Sequence, residues 1–370
     1  MSELLATEVF HEAQEAISVR QPPVDEVVAR ASVARRRRRA WAAGLTAGIV
    51  AVVAVGTWIG TRSEDAGLPD PVLKTEENPA NIEWYANGVL HLSDLTLELP
   101  SLERLVQVGD DGVVYGDEDG RVIHVRADGS LEGLGRQEPG APLASSVERG
   151  WVAWVDPHDG SPELIVHSTL TGQEIGRQRL ASKAPEGEEP GGSYPVAIDQ
   201  GIVYYSARDG DWAWELPDGH PNAVVGGELL DVGSAVRVIQ EEGGFLRVIQ
   251  PLFDVEIGVP GEGAMLSEDG NYVLTRVGTP VTGTVRIYDT RSGQQVGTGL
   301  EADDSAVAAT FGPDETVTYI VRGRATVPES DPGMRLSTSG PVVMRICALD
   351  IQSCATPVEF AHRQVPVLPE

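Results

Sequence analysis

The pattern of hydrophobic and polar positions divides this 370-residue chain into four stretches. Before residue 40, apolar residues recur at helical spacing on both sides of a Pro-Pro pair, and residues 40–61 then contain no charged residue. Residues 62–80 are polar and contain three prolines. From residue 81 onward, short β-branched and aromatic runs alternate with Gly, Asp and Asn. The pattern therefore predicts a short helical tail, one long apolar helix, a stalk and an all-β domain.

The uncharged run "AWAAGLTAGIVAVVAVGTWIGT" predicts a transmembrane helix at residues 40–61. As a helix it extends about 33 Å, enough to cross a hydrocarbon core of about 30 Å. Trp41 and Trp58 lie near its ends, where aromatic side chains anchor a helix at the membrane surface. Five consecutive arginines precede it: Arg35, Arg36, Arg37, Arg38 and Arg39. Because basic residues remain on the cytoplasmic side, we expect a single-pass anchor in the cell membrane, with residues 1–39 cytoplasmic and residues 62–370 extracytoplasmic.

The same run has an alternative interpretation as a cleaved secretory signal. Such a signal would need a basic region of 39 residues, and the apolar run continues past the small residues 54–56, so the anchor is favoured. Next to a membrane span, the arginine block is explained by topology and anionic headgroups rather than by nucleic acid. Two Gly-xxx-Gly spacings, at residues 44–48 and 56–60, leave helix dimerisation open.

The cytoplasmic tail contains two short amphipathic segments, one on each side of Pro22-Pro23. Helices of this length are marginal alone. Two interpretations therefore remain: a partly ordered juxtamembrane tail, or a docking segment that folds on a cytoplasmic protein.

Charge is distributed unevenly along the chain, whose net charge is −28. Residues 63–370 carry 20 basic and 50 acidic side chains. Such a domain repels nucleic acid and anionic lipid, so neither is an expected partner for it. Only two of the 28 basic residues are lysine, a bias that suggests a high-GC bacterial genome.

Two motifs recur in the β domain. Asp-Gly, a strong hairpin signal, occurs seven times. Apolar runs repeat at intervals around the period of a four-stranded blade: "NGVLHL" at 87, "DGVVYG" at 111, "RGWVAWV" at 149, "QGIVYYS" at 200, "GSAVRVI" at 233, "DGNYVLT" at 269 and "DETVTYI" at 314. A strand–turn–strand motif follows later within several units, as in "VHSTLTGQEIG" at 166 and "IYDTRSGQQVG" at 287.

With these motifs in consistent order, about residues 80–365 resemble the WD-repeat-like β-propellers in their divergent bacterial form, and we assign residues 81–370 to this domain. The family's Trp-Asp blade ending and Gly-His opener are absent. The resemblance implies one propeller of four-stranded blades; about seven blades are favoured, and six or eight stay open. The first interval between runs is only 24 residues, so we expect blade 1 to borrow a strand, "QVPVL" at 364, that closes the ring.

Cys347 and Cys354 are the only cysteines in the chain. Zinc would need further ligands, and a redox pair is more often spaced Cys-x-x-Cys. On the extracytoplasmic side disulfides persist, and the two residues flank a predicted hairpin turn at 350–353. We therefore predict a structural disulfide in the last blade.

The sequence offers no local motif for catalysis, a metal or a cofactor. The seven histidines form no H-x-x-x-H pair within the β domain, and His124 and His167 lie in strand-like runs where a structural role is favoured. "YGDEDG" at 115 and "VDPHDG" at 155 lack the ligand order of a calcium loop and are interpreted as acidic turns. We accordingly predict no metal and no cofactor.

Three hypotheses for function remain. The leading one is an extracytoplasmic module that binds a protein or ligand, or senses it, on a propeller face and signals through the tail. The tail "PPVDEVVARASVARRRRR" before one span resembles the N-termini of anti-sigma-factor-like membrane proteins of high-GC Gram-positive bacteria, which implies a sigma-factor-like partner. The alternatives are a propeller enzyme (lyase, hydrolase or quinone-dependent dehydrogenase) with residues gathered from several blades, and a passive scaffold for envelope assembly.

Overall fold

The computed structural model describes residues 72–369 with fourteen gaps. These gaps are residues 81, 110–111, 158–160, 181–191, 218, 225, 242, 251–254, 278–283, 302–303, 314, 323–341, 351–352 and 361–364. Within the described residues, no helix is long and apolar enough to cross a membrane. The predicted transmembrane helix at 40–61 and the predicted tail lie outside them.

The described residues form 28 strands in seven antiparallel four-stranded sheets, so they fold as a seven-bladed β-propeller.
Blade 1 contains β1 (Val72–Thr75), β2 (Trp84–Ala86), β3 (Val89–His91) and β4 (Leu95–Glu98). Blade 2 contains β5 (Arg104–Gln107), β6 (Gly112–Gly116), β7 (Arg121–Arg126) and β8 (Leu131–Arg136). Blade 3 contains β9 (Ala144–Ser146), β10 (Trp151–Asp156), β11 (Glu163–Ser168) and β12 (Gln173–Arg179). Blade 4 contains β13 (Tyr194–Asp199), β14 (Ile202–Ala207), β15 (Gly210–Glu215) and β16 (Asn222–Ala223).

Blades 5 to 7 repeat the same plan. Blade 5 contains β17 (Glu228–Gly233), β18 (Val236–Glu241), β19 (Phe245–Gln250) and β20 (Val255–Pro260). Blade 6 contains β21 (Glu262–Leu266), β22 (Tyr272–Val277), β23 (Thr284–Asp289) and β24 (Gln295–Val296). Blade 7 contains β25 (Ser305–Gly312), β26 (Thr316–Arg322), β27 (Val342–Ala348) and β28 (Ser353–Phe360). The predicted fold and number of blades are confirmed.

The predicted sequence motifs coincide with fixed positions in the blades. From blade 2 onward, each repeated apolar run forms the second strand, and each strand–turn–strand motif forms the hairpin of the third and fourth strands. Of the Asp-Gly glycines that the structure describes, Gly112, Gly120, Gly129, Gly210 and Gly270 have positive φ, as expected for tight turns, whereas Gly219 does not. Glycine accepts this conformation without the steric cost that a Cβ brings.

Strands in the interior of a blade such as β6, β7, β10 and β26 bury both faces, because successive side chains point toward opposite neighbouring blades. In β6, Val113 and Tyr115 pack against blade 1, while Val114 packs against blade 3. Seven apolar clusters among the described residues each join two neighbouring blades, including blade 7 and blade 1. The ring is therefore closed by packing.

The first strands of successive blades, from β5 to β25, contact one another and so surround the centre of the ring. In blade 1 this place is taken by the C-terminal segment. The amide N–H groups of Tyr85 and Val367 donate to each other's carbonyl oxygens, at 3.0 and 2.9 Å. Val367 and Leu368 pack toward blades 2 and 7, respectively. The segment predicted to close the ring thus pairs with blade 1.

Blade 1 also shows why its first repeat interval is short. The C-terminal segment is the first strand of blade 1, β2 is the second and β3, formed by the run at 87, is the third. The other runs form second strands, so the run at 87 lies closer to the run that follows it. Outside β4, blade 1 gains the additional strand β1, which pairs along its whole length from Val72↔Glu98 to Thr75↔Leu95. Strand β1 comes from residues 62–80, the segment that the sequence pattern assigns to a stalk.

Two glycines in fourth strands make room for tryptophans of the following blade. A Cβ on Gly135 would lie 2.9 Å from the Trp154 ring, and one on Gly176 would lie 2.7 Å from the Trp214 ring. Trp154 is fully buried and Trp214 nearly so. Neither glycine has a positive φ, so each is required for close approach rather than for a turn.

Cys347 and Cys354 form the predicted disulfide. They are directly opposite on β27 and β28, with their Cα atoms 4.0 Å apart. Cys347 is fully buried among apolar side chains of blades 6 and 7. The bond therefore ties the outermost strand of the last blade to a strand that is packed in the core.

We predict that Gly176→Ala destabilises the ring by about 1–3 kcal/mol, the usual cost of overpacking a core. The new methyl group would collide with Trp214 and with Leu216. Gly258→Ala is the matched control, since it also lies in a fourth strand and a Cβ there meets no atom within 4 Å. Urea unfolding of both variants checks this, and equal midpoints would contradict it.

We predict that the double variant Cys347→Ala/Cys354→Ala loses about 2 kcal/mol of unfolding free energy, because the unfolded chain regains the freedom that the bond removes. Reduction of the wild-type protein should lower its unfolding midpoint in the same direction and leave the double variant unchanged. A wild-type midpoint that is insensitive to reductant would show that the bond does not stabilise the blade.

Candidate binding groove between blades 3 and 4

A groove with a volume of about 270 Å³ runs between the outer parts of blades 3 and 4. Its blade 3 side is formed by the end of β12, and its blade 4 side by β14, the turn after it, β15 and the residue before β16. The lining residues are Gln178, Arg179, Leu180, Tyr205, Ala207, Asp209, Trp212 and Pro221. The groove thus has a mainly apolar and aromatic lining, with Gln178, Arg179 and Asp209 as its polar residues.

The indole of Trp212 is held in place at this groove. Its Nε1–H donates to Asp209 Oδ1 at 3.1 Å, and its ring packs against the apolar cluster shared by blades 3 and 4. Trp212 pairs with Tyr205 on β14 and with Ala223 on β16. A half-buried indole fixed in this way can present a ring edge or face without losing much conformational freedom when it binds a partner.

The tyrosine of the groove is almost fully buried. Burial raises the pKa of Tyr205 to about 12, and the charge of Asp209 contributes to the shift in the same direction. Its phenol therefore stays neutral at physiological pH, and the buried side chain is part of the groove wall.

Two arginines near the end of β12 have different surroundings. Arg177 donates to Glu174 through Nε (3.0 Å) and Nη2 (2.7 Å), and to Glu163 through Nη1 (2.6 Å). These hydrogen bonds, Glu174 first, raise the pKa of Arg177. Arg179 at the groove is 76% exposed, and its Nη2 lies 3.7 Å from Glu163 Oε1, beyond hydrogen-bonding distance. Arg177 is hydrogen-bonded to two carboxylates of blade 3, whereas Arg179 is exposed to solvent.

Carboxylates near the centre of the ring join blades 4, 5 and 6. Asp199 accepts the N–H groups of Ser234 (3.1 Å) and Ala235 (2.8 Å), which belong to the first turn of blade 5. Asp231 accepts the N–H of Leu266 in blade 6 and that of Val232, both at 2.7 Å. These side chains occupy successive blade junctions and hold the backbone of the next blade.

Asp231 takes a position that is otherwise occupied by alanine. The first strands of blades 4 to 7 each have a β-bulge. The residue after the bulge is Ala197 in blade 4, Asp231 in blade 5, Ala264 in blade 6 and Ala308 in blade 7. Burial raises the pKa of Asp231 to about 6, and the charge of Asp199 acts in the same direction. The hydrogen bonds from the backbone N–H groups of Leu266 and Val232 lower this pKa and offset part of the shift. The residue as a whole is only half-buried, but its carboxyl group is enclosed by the two amides that it accepts.

The histidines singled out in the sequence lie within blades, as expected. His124 is 2% exposed on β7, and burial lowers the pKa of the half-buried His167 on β11. Of the two acidic segments, "YGDEDG" forms a turn in which Asp117 Oδ1 accepts the N–H groups of Asp119 and Arg121. Among the described residues, no group of three or more His, Cys, Asp or Glu is placed to hold a metal ion. Part of "VDPHDG" and all of Arg35–Arg39, Trp41 and Trp58 lie outside the described residues.

The groove was not predicted from the sequence. Its residues come from three separate stretches, at 178–180, 205–212 and 221, and none of these is a motif. The one usable signal is "RDGDWAWEL" at 208, where two tryptophans alternate with small or acidic residues directly after an Asp-Gly turn. Alternation places both tryptophans on the same face of β15, where Trp214 is buried and Trp212 is half-buried.

We predict that the stability of the wild-type protein relative to Asp231→Asn falls as pH rises from about 4 to 6. The folded protein holds this proton up to a pKa of about 6, whereas the unfolded chain releases it near the ordinary aspartate pKa of 3.8. The protonated carboxyl therefore stabilises the fold, and that contribution is lost as the pH rises through this window. The loss should be roughly 2 kcal/mol. Urea unfolding of both proteins between pH 4 and pH 7.5 measures it, and a difference independent of pH would contradict the assignment.

No protein-family model matches the chain, and no curated protein matches it. Among solved structures, the WD40 β-propeller domain of Doa1 is 10% identical, with 77% of this chain and 88% of that chain covered and a TM-score of 0.45. BamB from Moraxella catarrhalis is 13% identical, with 77% and 97% covered and a TM-score of 0.39. Dihydro-heme d1 dehydrogenase NirN in complex with DHE is 14% identical, with 80% and 66% covered and a TM-score of 0.44. These similarities concern the fold alone.

Proposed function

We propose that this protein is a membrane-anchored, extracytoplasmic β-propeller that binds a protein partner in the groove between blades 3 and 4 and reports the binding through its cytoplasmic tail. The observation that carries the proposal is the groove itself, whose lining residues include the half-buried Trp212, the almost fully buried Tyr205 and the exposed Arg179. Tryptophan, tyrosine and arginine are the residues that most often dominate the energy of protein–protein interfaces.

The rest of the ring supports a binding role because it is rigid. Seven packed junctions and the carboxylate bonds between blades 4, 5 and 6 hold the outer strands in fixed relation. A site built on such strands keeps its geometry before binding and loses less conformational entropy on binding.

The proposed location rests on two features. The apolar run at 40–61 after five arginines supports one membrane crossing with the N-terminus inside. The Cys347–Cys354 disulfide supports an oxidising compartment for the propeller. On this proposal the tail at 1–39 meets a cytoplasmic regulator of the sigma-factor type, as its resemblance implies.

We predict that crosslinking in living cells captures a partner that is lost in Trp212→Ala and retained in Trp151→Ala. Trp151 is the matched control because it is also half-buried against the apolar cluster of blades 3 and 4, but it does not line the groove. Both variants should lose similar amounts of stability, which urea unfolding verifies. Loss of the partner in both variants to the same degree, or in neither, would contradict binding in the groove.

The signalling part of the proposal is tested with a variant that lacks residues 2–33. A cytoplasmic partner that is captured by the full chain and lost with the tail supports a receptor. If all captured partners are extracytoplasmic and unchanged by the deletion, the protein is a scaffold or an enzyme rather than a sensor.

A further inference from the structure

We infer that two copies of this chain associate edge to edge through β1, with the two β1 strands antiparallel and Thr75 of each copy next to the twofold axis. The inference goes beyond the proposed function, because the groove lies between blades 3 and 4, whereas β1 is the outer strand of blade 1. It follows from the outward-facing backbone groups of β1, from its exposed side chains and from its pattern of charges.

Strand β1 is an additional outer strand with an open edge. The C-terminal segment, β2, β3 and β4 already supply four strands to blade 1. The N–H of Glu76 donates to the carbonyl oxygen of Asp94, just before β4, at 3.2 Å. Because backbone groups alternate along a strand, Leu73 and Thr75 direct their N–H and C=O groups away from β4. No strand among the described residues pairs with this edge.

The side chains of β1 leave the edge accessible. All four residues of the strand are exposed. Val72 is 52% and Leu73 is 47% exposed, and they are two of the six exposed large apolar side chains in the described part of the chain. An exposed apolar edge strand is a template for pairing with another chain, and proteins usually cover or disrupt it. A strand from a second chain would cover this edge.

The charges of β1 favour a second copy of this chain as the partner. Three antiparallel registers bring its outward-facing groups together: Leu73 with Leu73, Leu73 with Thr75, or Thr75 with Thr75. The first places Lys74 opposite Val72, and the second places Lys74 opposite Lys74. The third places Lys74 of each copy opposite Glu76 of the other, so two ion pairs form. Opposite charges across a strand pair stabilise it, and like charges destabilise it, so the third register is favoured.

The contact that Lys74 already makes is compatible with this pairing. Its Nζ lies 2.6 Å from Glu98 Oε1 on the neighbouring strand β4, and both side chains are about half exposed or more. An ammonium group has three N–H donors, so Lys74 can contact Glu98 and Glu76 of the second copy together. A lysine on an edge strand otherwise discourages pairing, and here its complement lies two residues away on the same strand. The contact is the same on both copies, as a twofold interface requires.

The proposed membrane anchor would increase the chance that two β1 strands meet. Strand β1 begins ten residues after the predicted span at 40–61, which contains two Gly-xxx-Gly spacings. Ten residues extend to at most about 35 Å. Two spans in contact would therefore confine the two strands to a small volume and raise their effective concentration.

The test introduces one cysteine, Thr75→Cys, into the full-length chain in cell membranes. Cys347 and Cys354 are bonded to each other, so the introduced thiol is the only free one. In the favoured register the two introduced residues form a hydrogen-bonded pair with Cα atoms about 5.5 Å apart, which suits a disulfide. We expect a disulfide-linked dimer after mild oxidation, measured on a non-reducing gel.

Two other single-cysteine variants are the matched controls. Val72→Cys lies on the same exposed strand, but in this register the two introduced residues are about 20 Å apart, since each lies opposite Asn78. Thr171→Cys replaces an exposed threonine in the turn between β11 and β12. Both should give at least about tenfold less linked dimer than Thr75→Cys. Equal linkage at all three positions would indicate random collision and would overturn the inference.

A charge reversal tests the ion pairs in the Thr75→Cys background. Glu76→Lys should lower the linked fraction about three- to tenfold, because two attractive pairs become two like-charge pairs. Glu77→Lys is the matched control: it is the adjacent exposed glutamate, carries the same change of charge and lies opposite Leu73 in this register. Equal weakening by both reversals, or no weakening by Glu76→Lys, would overturn the pairing that we infer. If Thr75→Cys gives no linked dimer, the copies do not meet at β1, and the proposed binding in the groove is unaffected.

Discussion

Burial of both faces of every blade is the constraint on which this ring depends. A strand with period-two side chains can satisfy it only if one set of residues fits the preceding blade and the other set fits the following blade, as Val113 and Val114 do. No blade can then be stable alone, because each would expose two apolar faces to water. The need for closure explains why the C-terminal segment returns to blade 1 and pairs with Tyr85.

Polar contacts fix the position of each blade relative to the next, which apolar packing alone does not determine. Apolar faces could slide past one another, whereas Asp199 and Asp231 each bind particular backbone amides at the next junction. Burying the carboxylate of Asp231 disfavours its charged form, and the raised pKa of Asp231 reflects this desolvation cost. With the junctions held in this way, the outer strands of blades 3 and 4 form a groove of defined shape, and recognition can reside in the side chains at its edge.

Much of the fold could be predicted from local pattern, while the groove could not. Turn glycines and alternating runs are local signals, so the number of blades, the closing C-terminal segment and the Cys347–Cys354 bond were all predicted correctly. Strand β1 was not predicted, since its four residues are exposed and show no alternation. The groove joins Arg179 to Trp212 across two blades, and a contact of this kind depends on how neighbouring sheets pack rather than on any short stretch of sequence.

The most direct test of the account is a photo-crosslinking residue placed at either end of β12. Gln178 lines the groove, whereas Gln173 is an exposed glutamine at the opposite end of the same strand. Replacing each in turn by the photoreactive residue in living cells compares two sites with the same parent side chain and the same strand. The account predicts a partner adduct from position 178 and none from position 173. An adduct from position 173 alone, or equal adducts from both positions, would show that the partner does not bind in the groove.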